Sequence, residues 1–184
     1  MIRRLEFELQ YLLGRTPWDS GVSPPELLAF LDQHTAGRAV DLGCGTGTNA
    51  ITMALRGWQV LAIDISTMAL ARARGKAKRA GVELQLRRGD VTHLDLGGPL
   101  DLALDLGCFH TLPRRKWPAY ARNVAGALKP GATLLLYTFL GDWIPEAELR
   151  ALFAPALQAV QVSYGSDAVR GRPSAWFGLQ RQAP

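Results

Sequence analysis

The chain predicts an α/β fold: a three-layer sandwich on a mostly parallel, seven-stranded sheet with the last strand antiparallel. Three observations carry that expectation. From Arg38 to Phe139, short apolar runs alternate with segments of helical periodicity, the order that builds strand–helix–strand units. The runs themselves (RAVDL, VLAI, LALDL, TLLLY) are almost continuously apolar, as in strands covered by helices on both faces. The last third ends differently, with two strand-like segments joined by the polar, turn-rich link SYGSDAVRGRP, which suits a hairpin and reverses the final strand.

The elements follow in order. Ile2 to Leu13 places Leu5, Leu9, Leu12 and Leu13 at helical spacing and reads as a short amphipathic helix before a turn at Gly14 through Pro17. Ser23, Pro24 and Glu26 form a capping-box pattern for a second helix to about His34, stopped by Gly37. Then come strand RAVDLG, helix Thr48 to Arg56, strand WQVLAID, helix Ser66 to Ala80 and strand VELQLRRGD, with Gly57 and Gly81 at the helix ends. A fourth strand, LDLALDLG, precedes a helix from Arg114 to Leu128 that Lys129, Pro130 and Gly131 close, and ATLLLYTF is the fifth strand. A helix near Pro145 to Phe153 and strands near Leu157 to Ser163 and Ala175 to Arg181 complete the set. With no repeat or linker, the expectation is one domain over residues 1–184, with N-terminal helices in 1–36 and the sheet-and-helix core in 37–184.

Composition narrows the function classes. A chain of 184 residues buries roughly 70% of its extended surface and needs no disulfide or structural metal. With 48% hydrophobic and 20% charged residues it is not a disordered chain. The longest apolar stretch, Ala132 to Leu140, falls short of the roughly 20 residues that cross a bilayer. MIRRLEFELQ lacks an apolar signal region, so the expected location is cytoplasmic and no membrane partner is expected. Cys44 and Cys108 have the spacing of neither a disulfide framework nor a zinc site, and no metal is expected. The net charge of +5 concentrates in Arg72, Arg74, Lys76, Lys78, Arg79, Arg87 and Arg88. No aromatics interleave these residues, so they read as a solvated helix face.

The chemistry lies where strands end. VDLGCGTG, Val40 to Gly47, joins the first strand to its helix and leaves a tight turn whose main chain a ligand can approach closely. Gly45, Gly47 and Ala50 also satisfy the GxGxxG/A dinucleotide pattern, which makes an NAD- or nucleotide-binding domain one alternative. Asp41 argues against it, because a carboxylate just before the first glycine would repel a pyrophosphate and suit a ligand bearing positive charge. Asp64 ends the second strand, where a carboxylate accepts ribose hydroxyls, and Asp90 follows the third, where it suits an adenine amino group. Together they describe a cationic, adenosine-containing ligand without phosphate.

These residues resemble the class I S-adenosylmethionine-dependent methyltransferases. VDLGCGTG is similar to that family's glycine-rich first motif, VLAID to its second, GDV to its third and LKPGATLLLY to the approach to its fifth strand, in order and at family spacing over about residues 25 to 182. The resemblance implies a Rossmann-like fold of seven strands with the last reversed, and S-adenosyl-L-methionine as cofactor with S-adenosyl-L-homocysteine as product. By the same resemblance, Asp41 and the loop Gly43, Cys44, Gly45 and Gly47 would hold the methionine part. Asp64 with Ile65 would hold the ribose, Asp90 with Val91 the adenine, and Asp105 with Leu106 would complete the cofactor contacts.

For the acceptor, the segment after the fourth strand reads DLGCFHTL in place of the Asn/Asp-Pro-Pro-aromatic run of exocyclic-amine methyltransferases, and Cys108 follows Gly107 instead of a proline. Nucleic acid is therefore not the expected partner. GRTPWDSGVSPPEL together with DLGCFHTL is similar to the small-molecule members related to thiopurine and tellurite-resistance methyltransferases. In those, the N-terminal segment helps to close the cofactor site, which makes 1–36 a lid here and Tyr11, Trp18, Asp19, Phe109 and His110 candidate lid or acceptor residues. The chain departs from the thiopurine type in being shorter and in having Leu106 where an Arg often stands. His110 is the candidate catalytic base, with ordering of its loop as the other reading. The expected enzyme moves a methyl group to a small-molecule sulfur, oxygen or nitrogen nucleophile by direct displacement, as a monomer or homodimer. An RNA or protein methyltransferase is the alternative that the basic run supports.

Overall fold

The computed structural model describes residues 2–167 and 171–183, with side chains from Leu5 onward. The strands are β1 (Arg38–Leu42), β2 (Gln59–Asp64), β3 (Gln85–Arg88), β4 (Leu100–Leu106), β5 (Leu128–Phe139), β6 (Leu157–Ser166) and β7 (Pro173–Arg181). The helices are α1 (Ile2–Leu12), α2 (Pro25–Gln33), α3 (Thr48–Leu55), α4 (Thr67–Ala80), α5 (Trp117–Ala127) and α6 (Glu146–Phe153). The sheet order is β3-β2-β1-β4-β5-β7-β6. Parallel pairing joins β1 to β2, β2 to β3 and β4 to β5, while β7 runs antiparallel to both β5 and β6. The alternating pattern and the reversed last strand read from the sequence are both present. Part of the expected hairpin link, residues 168–170, lies outside the described residues. Among the described residues, no helix is long and apolar enough to cross a membrane.

The chain divides into two compact units, the first ending at Asp90 and the second beginning at Val91. In the first, Val40, Leu42, Ala62 and Ile63 are almost wholly buried in β1 and β2, beneath Met53 of α3 and Ala69, Ala73 and Ala77 of α4. The run of alanines on α4 lets it lie close to the sheet. Ser66 caps that helix, its hydroxyl accepting from Ala69 N at 3.1 Å, and Gly81 closes it in the left-handed region at φ 69°.

One expectation fails here. The capping box at Ser23 does not form: α2 begins at Pro25 with Pro24 before it and no side-chain cap, and the Ser23 hydroxyl donates to Thr52 Oγ1 at 2.8 Å. Helix α1 does have two faces, but Leu5, Leu9, Leu12 and Leu13 are each more than half exposed. Polar contacts decide its orientation, since Glu8 and Tyr11 engage the unit from the opposite face.

The second unit is built on β4, β5 and β7, where Leu102, Leu104, Leu134, Leu136, Phe177 and Leu179 are almost wholly buried. The helix expected from Arg114 starts instead as a short 3-10 turn, Arg114–Lys116, and continues as α5 with Pro118 in its first turn. Phe109 packs at ring-centroid distances of 5.1 Å from Trp117, 5.3 Å from Tyr120 and 5.8 Å from Phe153, making an aromatic core around α5 and α6.

Candidate cofactor and acceptor sites

The glycine loop is pinned to the end of β2. Gly43 N and Cys44 N both donate to Ile63 O, at 2.8 and 2.9 Å, so the main chain turns sharply out of β1 at the level where β2 stops. Gly45, at φ 54°, and Gly47, at φ 83°, carry the turn into α3. Asp64 closes the ring of contacts: Oδ2 accepts from Gly45 N at 2.9 Å and Oδ1 from Ser66 N at 2.8 Å. Burial pushes the Asp64 carboxyl above its usual range, and the N–H groups of Ser66, Gly45 and Ile65 oppose that push. Asp41 is 2% exposed, and its Oδ2 atom accepts no hydrogen bond although the residue has other interactions. Gly89 N donates to Asp64 O at 3.1 Å, which places Asp90 beside the end of β2. Ile65 is partly exposed at the same edge.

The N-terminal segment covers this loop. A Cβ on Gly45 would stand 2.8 Å from Tyr11 Oη, so the bare main chain of the loop is approached by that hydroxyl. Trp18 Nε1 donates to Tyr11 Oη at 3.3 Å, and the Trp18 ring meets Phe7 and Tyr11 edge-on. Asp19 Oδ2 accepts from Thr46 Oγ1 at 2.7 Å, and Lys76 of α4 lies 3.6 Å from Asp19 Oδ1 while donating to Thr46 Oγ1. Tyr11, Trp18 and Asp19 are therefore all placed at the glycine loop.

Glu8 was not legible in advance as a functional residue. Its carboxylate accepts from Ser66 Oγ, Thr67 N, Thr67 Oγ1 and Met68 N, so α1 supplies an external cap for α4. Partial burial pushes the Glu8 carboxyl up, but those donors outweigh it and hold it at about 2. Nothing in the spacing of MIRRLEFELQ marks Glu8, because its partners are about 60 residues away.

In the second unit, the segment after β4 turns through Gly107 into a short 3-10 turn, Phe109–Thr111. Asp105 is 0% exposed, and its carboxylate accepts from Cys108 N at 2.8 Å, Phe109 N at 3.0 Å and Tyr120 Oη at 2.6 Å. Its side chain therefore presents no exposed surface in this arrangement, its oxygens being taken up by the turn and by Tyr120. Burial pushes its carboxyl up to about 6, against the pull of Tyr120 and the turn's N–H groups. Phe109 is likewise 0% exposed and belongs to the aromatic core. Leu106 and His110 are partly exposed, the His110 ring stacking on Phe139 at 4.2 Å between centroids. Val91 is buried, and its carbonyl accepts from Asn123 Nδ2 at 2.8 Å, a positioning contact the sequence did not announce. Among the described residues, no cluster of three or more His, Cys, Asp or Glu side chains is placed to hold a metal ion.

The donor set fits a cationic adenosine ligand: a buried carboxylate at Asp41, a bare glycine main chain, and strand-end carboxylates at Asp64 and Asp90. The methyltransferase-domain family matches residues 39–131, which contain that loop and all three aspartates. The chain belongs to this family. That assignment sets aside the dinucleotide-binding reading of Gly45, Gly47 and Ala50. The chain is 27% identical over 133 residues to 2-heptyl-1-hydroxyquinolin-4(1H)-one methyltransferase of Mycobacteroides abscessus, the match covering 71% of this chain and 59% of that protein. It is 34% identical over 103 residues to the Escherichia coli tRNA 5-carboxymethoxyuridine methyltransferase, covering 54% of this chain and 39% of that one. The chain thus spans less than two thirds of the length of these relatives. In fold it is similar to Burkholderia thailandensis 1,6-didemethyltoxoflavin-N1-methyltransferase, solved with its substrate and S-adenosylhomocysteine. The TM-score is 0.84 at 21% identity, over 99% of this chain and 88% of that one. The Rossmann-like methyltransferase fold expected from the sequence is the fold observed.

Proposed function

We propose that this chain is an S-adenosylmethionine-dependent methyltransferase acting on a small-molecule acceptor in the cytoplasm, through a single domain with residues 1–36 as its lid. The observation that carries the reading is the ring of contacts joining Asp64, Gly45 and the Tyr11 hydroxyl. S-adenosylmethionine supplies a methyl group on a sulfonium sulfur, activated toward nucleophiles. Asp64 and Asp90 would accept hydrogen bonds from its ribose and adenine, and Asp41 with the glycine loop would hold the charged methionine end. Tyr11, Trp18 and Asp19 would exclude water from the loop, which would strengthen each of these polar contacts. The methyl group would pass to an acceptor sulfur, oxygen or nitrogen by direct displacement, with S-adenosylhomocysteine as the leaving product. His110 takes the proton of an oxygen or nitrogen acceptor, whereas a thiolate needs no base.

A second reading, RNA methylation, draws on Arg72, Lys76 and Arg79, which line one face of α4, and on the tRNA-modifying relative. The α4 face argues less strongly, because Lys76 is engaged by Asp19 and Thr46. Methyl-labelled S-adenosylmethionine, offered with a panel of thiols, phenols and heteroaromatic amines in parallel with total tRNA and ribosomal RNA, separates the two. Label in the small molecules supports the first reading, and label confined to RNA overturns it.

A further inference from the structure

We propose that Asp105 and Tyr120 are a buried positioning pair that sets the place of His110, so that α5 reaches the acceptor side of the site without touching substrate. The inference rests on the reading of His110 as the residue that meets the acceptor. Its grounds are geometric. The turn Phe109–Thr111 has no side-chain cap from Cys108, the residue before it. Asp105 takes over that task from three residues upstream, accepting from the N–H groups of Cys108 and Phe109. A carboxylate that spans two successive N–H groups fixes the turn in rotation as well as in place.

The same carboxylate is held from its other side by Tyr120 Oη at 2.6 Å, and Tyr120, itself 0% exposed, is fixed by Phe109 and Phe153. Phe109 faces inward and the next residue, His110, faces the other way. Its ring rests on Phe139 and against Gly107, where an added Cβ would lie 3.2 Å from His110 Cε1. Because His110 is itself a residue of the turn and stacks on Phe139, a shift of the turn carries the imidazole with it. The hydroxyl of Tyr120 donates to nothing but Asp105 in this arrangement, so its removal acts on the carboxylate first and on the turn next.

Tyr120→Phe deletes that hydroxyl and keeps the ring. The test reads the imidazole signals of the full-length protein by NMR, the three histidines His34, His93 and His110 being assigned by single substitution. The expected result is a changed chemical shift and titration for His110, with His34 and His93 unmoved as controls for folding. An unmoved His110 overturns the proposal, as does an equal change in all three, which marks a general loosening. With an acceptor in hand, Tyr120→Phe is expected to lower kcat about tenfold with little change in KM for S-adenosylmethionine. Combined with His110→Ala it adds no further loss. Full additivity of the two losses overturns it. Should the wild-type protein methylate no small molecule, the functional reading fails while the NMR result still decides this one.

Discussion

Asp64 and Asp105 each end or nearly end a central strand, and each is a buried carboxylate gripped by main-chain N–H groups, yet the two do different work. Asp64 is held by its own loop, through the N–H groups of Ser66, Gly45 and Ile65, and keeps 7% of its surface at the sheet edge. Asp105 has a helix behind it: Tyr120 completes its shell and no surface remains. Sequence position at a strand end therefore does not separate a carboxylate left at the surface from one that is wholly enclosed. The separation comes from whether the packed helix brings a donor of its own.

The comparison can be broken in several places. Around Asp64 the loop has no room, since a Cβ on Gly47 would lie 2.9 Å from Ala73 Cβ, at a φ of 83° that side chains avoid. Gly47→Ala should destabilise the protein by about 3–4 kcal/mol, adding the left-handed backbone cost to the overpacking. Denaturant unfolding that shows less than about 1 kcal/mol would mean the loop is not pinned as described.

Around Asp105 the signature is pH. Its carboxyl is raised from 3.8 to about 6, so the folded state holds its proton more tightly than the unfolded chain does. Stability is therefore greatest below pH ~4 with respect to this group, falls by about 3 kcal/mol as pH rises through about 6, and is level above that. Asp105→Asn should lack this decline in denaturation curves taken from pH 4 to 7, and a parallel decline in both proteins would contradict the assignment.

The smallest effect is at α1. Glu8→Ala should cost about 1 kcal/mol at pH 7, the worth of a helix cap. Because the Glu8 carboxyl is depressed to about 2, its contribution is present above pH ~4.5 and is lost as pH falls toward 2. Wild type and variant should therefore differ less at pH 3 than at pH 7.

Much of this was readable in the chain, for stated reasons. Apolar runs and glycine stops located the strands and helices because burial on both faces leaves continuous apolar runs, set off from the helical period, that sequence alone displays. The glycine turn was legible because its pattern is short and local, and Asp64 because it closes an apolar strand run, although its bond to Gly45 N spans 19 residues. What the sequence hid is long-range. Glu8 caps a helix some 60 residues away, and Tyr120 meets a carboxylate from the following helix. The spacing of the leucines showed that α1 is amphipathic but not that Leu5, Leu9 and Leu12 would lie exposed while Glu8 and Tyr11 make its contacts. Asp105 was expected among the cofactor contacts by the family resemblance, and nothing in its local sequence announces the hydroxyl that α5 brings to it.

The most direct test is a calorimetric titration of S-adenosylhomocysteine into Asp64→Asn and Asp105→Asn, each stripped of bound ligand and run beside wild type. The account predicts that Asp64→Asn weakens binding about 100-fold or more, as losing charged hydrogen bonds to a ligand implies, while Asp105→Asn stays within about threefold of wild type. Equal loss in both variants, or full affinity in Asp64→Asn, would contradict it.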